Sequence, residues 1–108
     1  MSRDSGPARH EIADIDATAL EAARAADRLL AVAHEMASER WVRYLAPLPD
    51  RLRDEPLPDL RRAARLGRAA FGPKDSIRDA LPEEVTEPFL RAIDRLLKAL
   101  ARHELEHN

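Results

Sequence analysis

Five alanines, Ala19, Ala23, Ala26, Ala33 and Ala37, recur at intervals of three, four or seven residues, with Leu30 completing the row. That spacing places them on one face of an α-helix. Small side chains on a helix face let a second helix approach closely, near the ~8 Å lower end of interaxial distances. The first third of the chain is therefore predicted to be a long helix lying tightly against a partner helix.

The rest of the composition agrees with a helical chain. Val, Ile, Thr and aromatic residues are scarce, and only Phe71, Phe89, Trp41 and Tyr44 carry large rings. Ala, Leu, Arg and Glu, all good helix formers, dominate instead. The class expected is all-α: a small bundle of three main helices plus one short one, the N-terminal helix carrying the alanine-rich packing face. At 108 residues the chain is one domain's worth and can bury one modest core. Residues 1–11, with Ser2, Ser5, Gly6 and Pro7, read as a frayed tail, and 12–108 as a single helical domain.

The helix boundaries follow from caps and prolines. The long helix is expected to start near Asp14 or Asp16 and to run to about Leu45, where Pro47 and Pro49 forbid continuation. That is ~45 Å at 1.5 Å per residue. Its stripe is Ile12, Ile15, Ala19, Ala23, Ala26, Leu30, Ala33, Ala37, Trp41 and Tyr44. Pro47-Leu48-Pro49-Asp50 is echoed by Pro56-Leu57-Pro58-Asp59, which reads as two tight turns. A second helix is expected from about Leu57 to Phe71, with Gly72 as a left-handed cap. Ser76 caps a short helix ending near Leu81, and a third main helix restarts with Thr86 as N-cap and runs toward Glu104.

These lengths imply an assembly. The second helix spans only ~22 Å and the third ~30 Å by the same rise. Neither is expected to cover all of the long helix, so a stretch bearing Ile12, Ile15 and Ala19 is left uncovered, a poor surface for a soluble monomer. The expectation is a homodimer through the long helix, with Ile15, Ala19, Ala26, Leu30, Trp41 and Tyr44 as contact residues. Trp41 is the leading hot-spot candidate.

The charges point away from a generic nucleic-acid binder. The formal net charge is −2. It is unevenly spread: residues 51–74 carry net +4, between segments of net −3 on either side. Arg61, Arg62, Arg65 and Arg68 share the polar face of the second helix and can form a phosphate patch, or can simply pair with acids of the first and third main helices. The second is preferred, because no nucleic-acid-binding signature accompanies them. Arg40-Trp41-Val42-Arg43-Tyr44 interleaves rings with arginines, as a stacking platform does, but the rings continue the buried stripe.

Three features tempt a chemical reading. His103-Glu104-Leu105-Glu106-His107 fits the H-E-x-x-H pattern in which two histidines four apart grip zinc while a glutamate activates water. The match spans five residues and supplies no third ligand, so a polar helix end is the preferred reading, and a zinc-dependent hydrolase ranks last. His34 sits at the edge of the alanine stripe and reads as a partly buried packing residue. The Phe71–Ser76 loop, with Lys74, reads as a plain turn ahead of a cap. No cofactor motif is present. Cysteine is absent, which excludes disulfides and thiolate metal sites. No apolar run reaches the ~18–20 residues of a membrane span, and the first ten residues lack a signal-peptide core. A cytoplasmic protein is expected, and the excess of arginine over lysine suggests a GC-rich, bacterial genome. The reading is a small non-enzymatic helical module that binds a protein, itself or another, in a regulatory or adaptor role. A nucleic-acid-associated regulator using the four arginines is the alternative.

Overall fold

The structure, a computed structural model, describes Arg9 and residues 12–106. Six helices follow one another: α1 (Ala13–Glu35), α2 (Glu39–Leu45), α3 (Leu48–Asp54), α4 (Leu57–Ala69), α5 (Ile77–Ala80) and α6 (Glu83–Glu106). No strand occurs among the described residues, so the all-α class and the small helical bundle stand. Most of the frayed-tail expectation falls outside the described residues. Its Arg9 is held: Nη2 donates to the Leu52 carbonyl (2.7 Å), Nη1 to the Glu55 carbonyl (3.0 Å) and Nε to Asp16 (3.2 Å).

The predicted 30-residue helix is two helices. α1 stops at Glu35, and the chain reverses through Met36 and Ala37. The Ala37 N–H donates to the His34 carbonyl and the Ser38 N–H to the Ala33 carbonyl, both at 3.0 Å. These are the paired bonds of a Schellman cap, which needs a left-handed residue after the C-cap. Ala37 supplies it at φ 54°. A Cβ in that conformation costs ~1–2 kcal/mol, and the two recovered carbonyl bonds offset it. No Gly or Pro marks the place, so the alanine period runs through the break without interruption.

The proline connector is a helix as well. Pro47 precedes α3 and Pro49 sits in its first turn; Pro56 and Pro58 stand in the same way to α4. Proline is harmless there, since the first turn has no intrahelical acceptor for its missing N–H. The repeated Pro-Leu-Pro-Asp is thus two helix openings rather than two turns. α3 folds back along α1, with Leu48 and Leu52 fully buried and Arg53 bridging to Asp27 at 2.8 Å. It is the extra layer that was missing from the length argument.

α6 runs antiparallel to α4, as the ion pairs Arg61–Glu104 (2.6 Å) and Arg68–Asp94 (3.1 Å) show. The start of α1, the end of α3, the start of α4 and the end of α6 gather at one end of the bundle through Arg9 and Arg61. The core lies between α1, α3, α4 and α6. Ile15, Ala19, Ala22, Ala23, Ala25, Ala26, Leu29 and Ala33 come from α1, and Phe89, Ile93, Leu96 and Leu100 from α6. The α1 face is wider than the predicted row, and Leu29 rather than Leu30 fills it. Gly67 allows α4 to approach α6: a Cβ there would meet Phe89 Cζ at 3.0 Å and Ile93 Cδ1 at 3.1 Å.

Two predicted caps move. Gly72 does not take the left-handed conformation; α4 closes in a tight last turn at Ala70, and Asp75 holds the positive φ of 54°. Asp is one of the few residue types that visit this region as single residues. Ser76 does cap α5, accepting from the Arg78 N–H at 3.2 Å. α6 starts one turn before Thr86, with the Pro82 carbonyl accepting from Val85 and Thr86. Thr86 is then a fully buried helical residue whose hydroxyl has no hydrogen-bond partner among the described residues, and Pro88 lies inside the helix. With this earlier start Val85 is partly and Thr86 wholly buried.

Candidate interaction surfaces

The residues expected to meet a partner mostly meet their own chain. Ile15, Ala19 and Ala26 are sealed in the core, and Leu30 is half-buried against it. The homodimer was inferred from an uncovered alanine face. α3 and α6 cover that face within one subunit, so this ground for a homodimer through helix 1 is gone.

Trp41 and Tyr44 anchor α2 to the body. Trp41 is 5 % exposed and meets Tyr44 edge-on at 5.3 Å between centroids. The Tyr44 hydroxyl donates to the Leu66 carbonyl at 2.6 Å, and burial raises its pKa above the ordinary phenol value. The Arg40 guanidinium lies 4.9 Å over the Trp41 ring. The rings face inward, so the Arg-aromatic segment is not a stacking platform for bases.

The four α4 arginines are largely engaged by acids. Arg61 holds Glu104, Arg68 holds Asp94, and Arg62 approaches Asp59 at 3.7 Å. Arg65 is exposed with no ion pair among the described residues. At the C-terminal end, His103 lines a cleft with Leu57, Pro58, Arg61, Leu100 and Glu104, and the Glu104 carboxylate is taken by Arg61. His107 lies outside the described residues. Among the described residues no three His, Asp or Glu side chains come together as metal ligands. None of the helices described is long and apolar enough to cross a membrane.

Sequence reasoning missed the corner between α1 and α2. The reversal at Met36–Ala37 opens a groove of about 380 Å³ lined by His34, Ala37, Glu39, Val42 and Arg43. His34 is exposed on its wall rather than packed into the stripe. Next to Ala37 in sequence, Met36 is 51 % exposed, one of two large hydrophobic side chains left in solvent among the described residues; the other is Leu105. Ser38 followed by Glu39 is an N-terminal helix signal that could have revealed the break. The uninterrupted alanine period hid it.

The fold thus defines a small all-helical bundle with a recessed corner between α1 and α2. Compared with known proteins, the chain matches no family model, no curated protein and no solved structure.

Proposed function

We propose that the chain is a small helical interaction module whose contact surface is the α1–α2 corner. The observation that carries this reading is Met36. It is a flexible, polarizable apolar side chain, exposed to solvent and next in sequence to Ala37 of the groove; among the described residues Leu105 is the one other large hydrophobe so exposed. Methionine suits adaptable binding surfaces for that reason. The groove walls add two apolar contacts, Ala37 and Val42, and polar orientation from His34, Glu39 and Arg43. The partner this surface suits is a protein segment offering an apolar anchor with charges of both signs around it. The left-handed Ala37 fixes the corner's shape in advance, which lowers the ordering cost of binding.

A second copy of the chain is one such partner, and self-association through the corner replaces self-association through the alanine face. The test is a photo-crosslinking residue at position 36, run in parallel with one at the exposed Ala101 of α6. A discrete product from position 36 alone, lost on Val42→Glu, supports the corner. Identical products from both positions overturn it. Sedimentation equilibrium of the intact chain and of Met36→Glu then decides whether the product is a dimer.

A further inference from the structure

We infer that the seam between α1 and α6 binds the phosphate backbone of a nucleic-acid duplex. This surface shares no residue with the corner and the inference does not rest on it. On α6, Arg91, Arg95, Lys98 and Arg102 are exposed and spaced four, three and four residues apart, a single straight stripe ~16 Å long at 1.5 Å per residue. Arg95 meets Glu21 of α1 at 2.8 Å, which places the stripe at the α1 border. Arg24 and Arg28 follow Glu21 by three and seven residues, so they share its face and extend the cationic surface onto α1. Both are exposed.

Only Arg95 of these six has an ion pair among the described residues. Arg91 also lies near enough to Glu87 to help hold that carboxyl low, while Glu87 itself is hydrogen-bonded to Arg78. The contrast with α4 is direct, since three of its four arginines pair with acids. The molecule's overall net charge of −2 does not decide the matter. A ligand within a Debye length of ~10 Å responds to the local field.

The chemistry of the seam selects the anion. Protein interfaces are built on an apolar centre, whereas Arg91, Arg95, Lys98 and Arg102 are all charged, and the exposed Leu105 lies beyond Arg102 at the end of the row rather than at its centre. Single strands are held by stacking on exposed rings, but Trp41 and Phe89 are buried and Tyr44 and Phe71 are half-buried on other elements. A duplex backbone requires neither. It presents a dense row of charge, about one per 1.7 Å of axis, to be met by point cations. With Arg95 balanced by Glu21, about five cations remain to displace counterions.

The experiment is anisotropy of a labelled duplex of about 20 base pairs with the intact chain. Two duplexes of unrelated sequence are compared. Binding is expected to be sequence-independent and to weaken on the order of several hundred-fold between 50 and 200 mM salt, the loss for about five phosphate contacts. Arg24→Gln with Arg91→Gln and Lys98→Gln should weaken it by about two orders of magnitude at 50 mM salt and flatten the salt slope. These positions are exposed, and circular dichroism checks that the helices persist. Arg62→Gln with Arg65→Gln on α4 should change affinity by no more than a few-fold. The inference is overturned by no saturable binding at 50 mM salt, by equal loss in the α4 variant, or by tighter binding of a poly-glutamate peptide or of vesicles rich in anionic lipid.

Discussion

Ala26 and Ala37 belong to one periodic row, yet they end in opposite environments. Ala26 is sealed against the core, while Ala37 stands in solvent at φ 54° as the left-handed residue of a helix cap. The row says which face of the segment is small. It does not say how far the helix travels before the chain reverses. α1 stops because α2 and α3 then return over it, burying Trp41, Leu45, Leu48 and Leu52. One continuous rod would leave those side chains beyond the reach of α4 and α6. At about 1.5–3 kcal/mol for each large apolar side chain removed from water, that burial outweighs the ~1–2 kcal/mol strain at Ala37.

Four substitutions or titrations break or sharpen this contrast. The largest effect is expected at Trp41, which ties the returning segment to the body. Trp41→Ala should lower unfolding free energy by about 3–5 kcal/mol in urea denaturation. A loss under ~1 kcal/mol would show the ring exposed and α2 undocked. Next is Ala26→Leu, where added methylenes have no space; the expected loss is about 1–3 kcal/mol. An unchanged midpoint would mean that α1 is not closely packed.

The third test turns on sign. Ala37→Gly relieves the left-handed Cβ strain and should raise stability by about 1 kcal/mol. Were α1 unbroken through position 37, the same change would lower stability by about 1 kcal/mol through lost helix propensity. Thermal unfolding of this variant therefore chooses between one helix and two.

The smallest effect belongs to the Arg78–Glu87 pair, which shares no residue with the α1–α2 corner. Its hydrogen bond to Arg78 leads in holding the Glu87 carboxyl below its ordinary value. A carboxyl depressed in the folded state contributes stability above its unfolded pKa and loses it as pH falls through the folded one. The pair is solvent-exposed, so the contribution is small and screened by salt. Glu87→Gln should slightly reduce the loss of stability on acidification below the ordinary carboxylate pKa. An acid limb identical in both proteins would show that the pair is not formed in solution.

Much of the bundle was legible in the residues. The buried faces of α4 and α6 follow their periodicity, with Leu60, Ala64 and Gly67 on one and Phe89, Ile93, Leu96 and Leu100 on the other. Pairing of the α4 arginines with acids was preferred for want of a nucleic-acid-binding signature; Arg61 and Arg68 do meet acids of α6, while Arg62 meets Asp59 of its own helix and none of the four pairs with α1 among the described residues. The candidate site was less legible. The corner depends on a cap formed by Ala, a residue with no turn signature. The α1–α6 seam needs two helices to be brought side by side before their separate cations become one surface.

Helical class, the small-residue face of α1 and the apolar stripes of the later helices came from local composition and spacing, because helix propensity and side-chain period act within a few residues. Where α1 ends, whether Pro47–Asp54 is loop or helix, and what covers Ile15 and Ala19 were decided by tertiary packing. Those outcomes depend on burying Leu48 and Leu52 against a segment some thirty residues away, and no local signal competes with that much apolar surface.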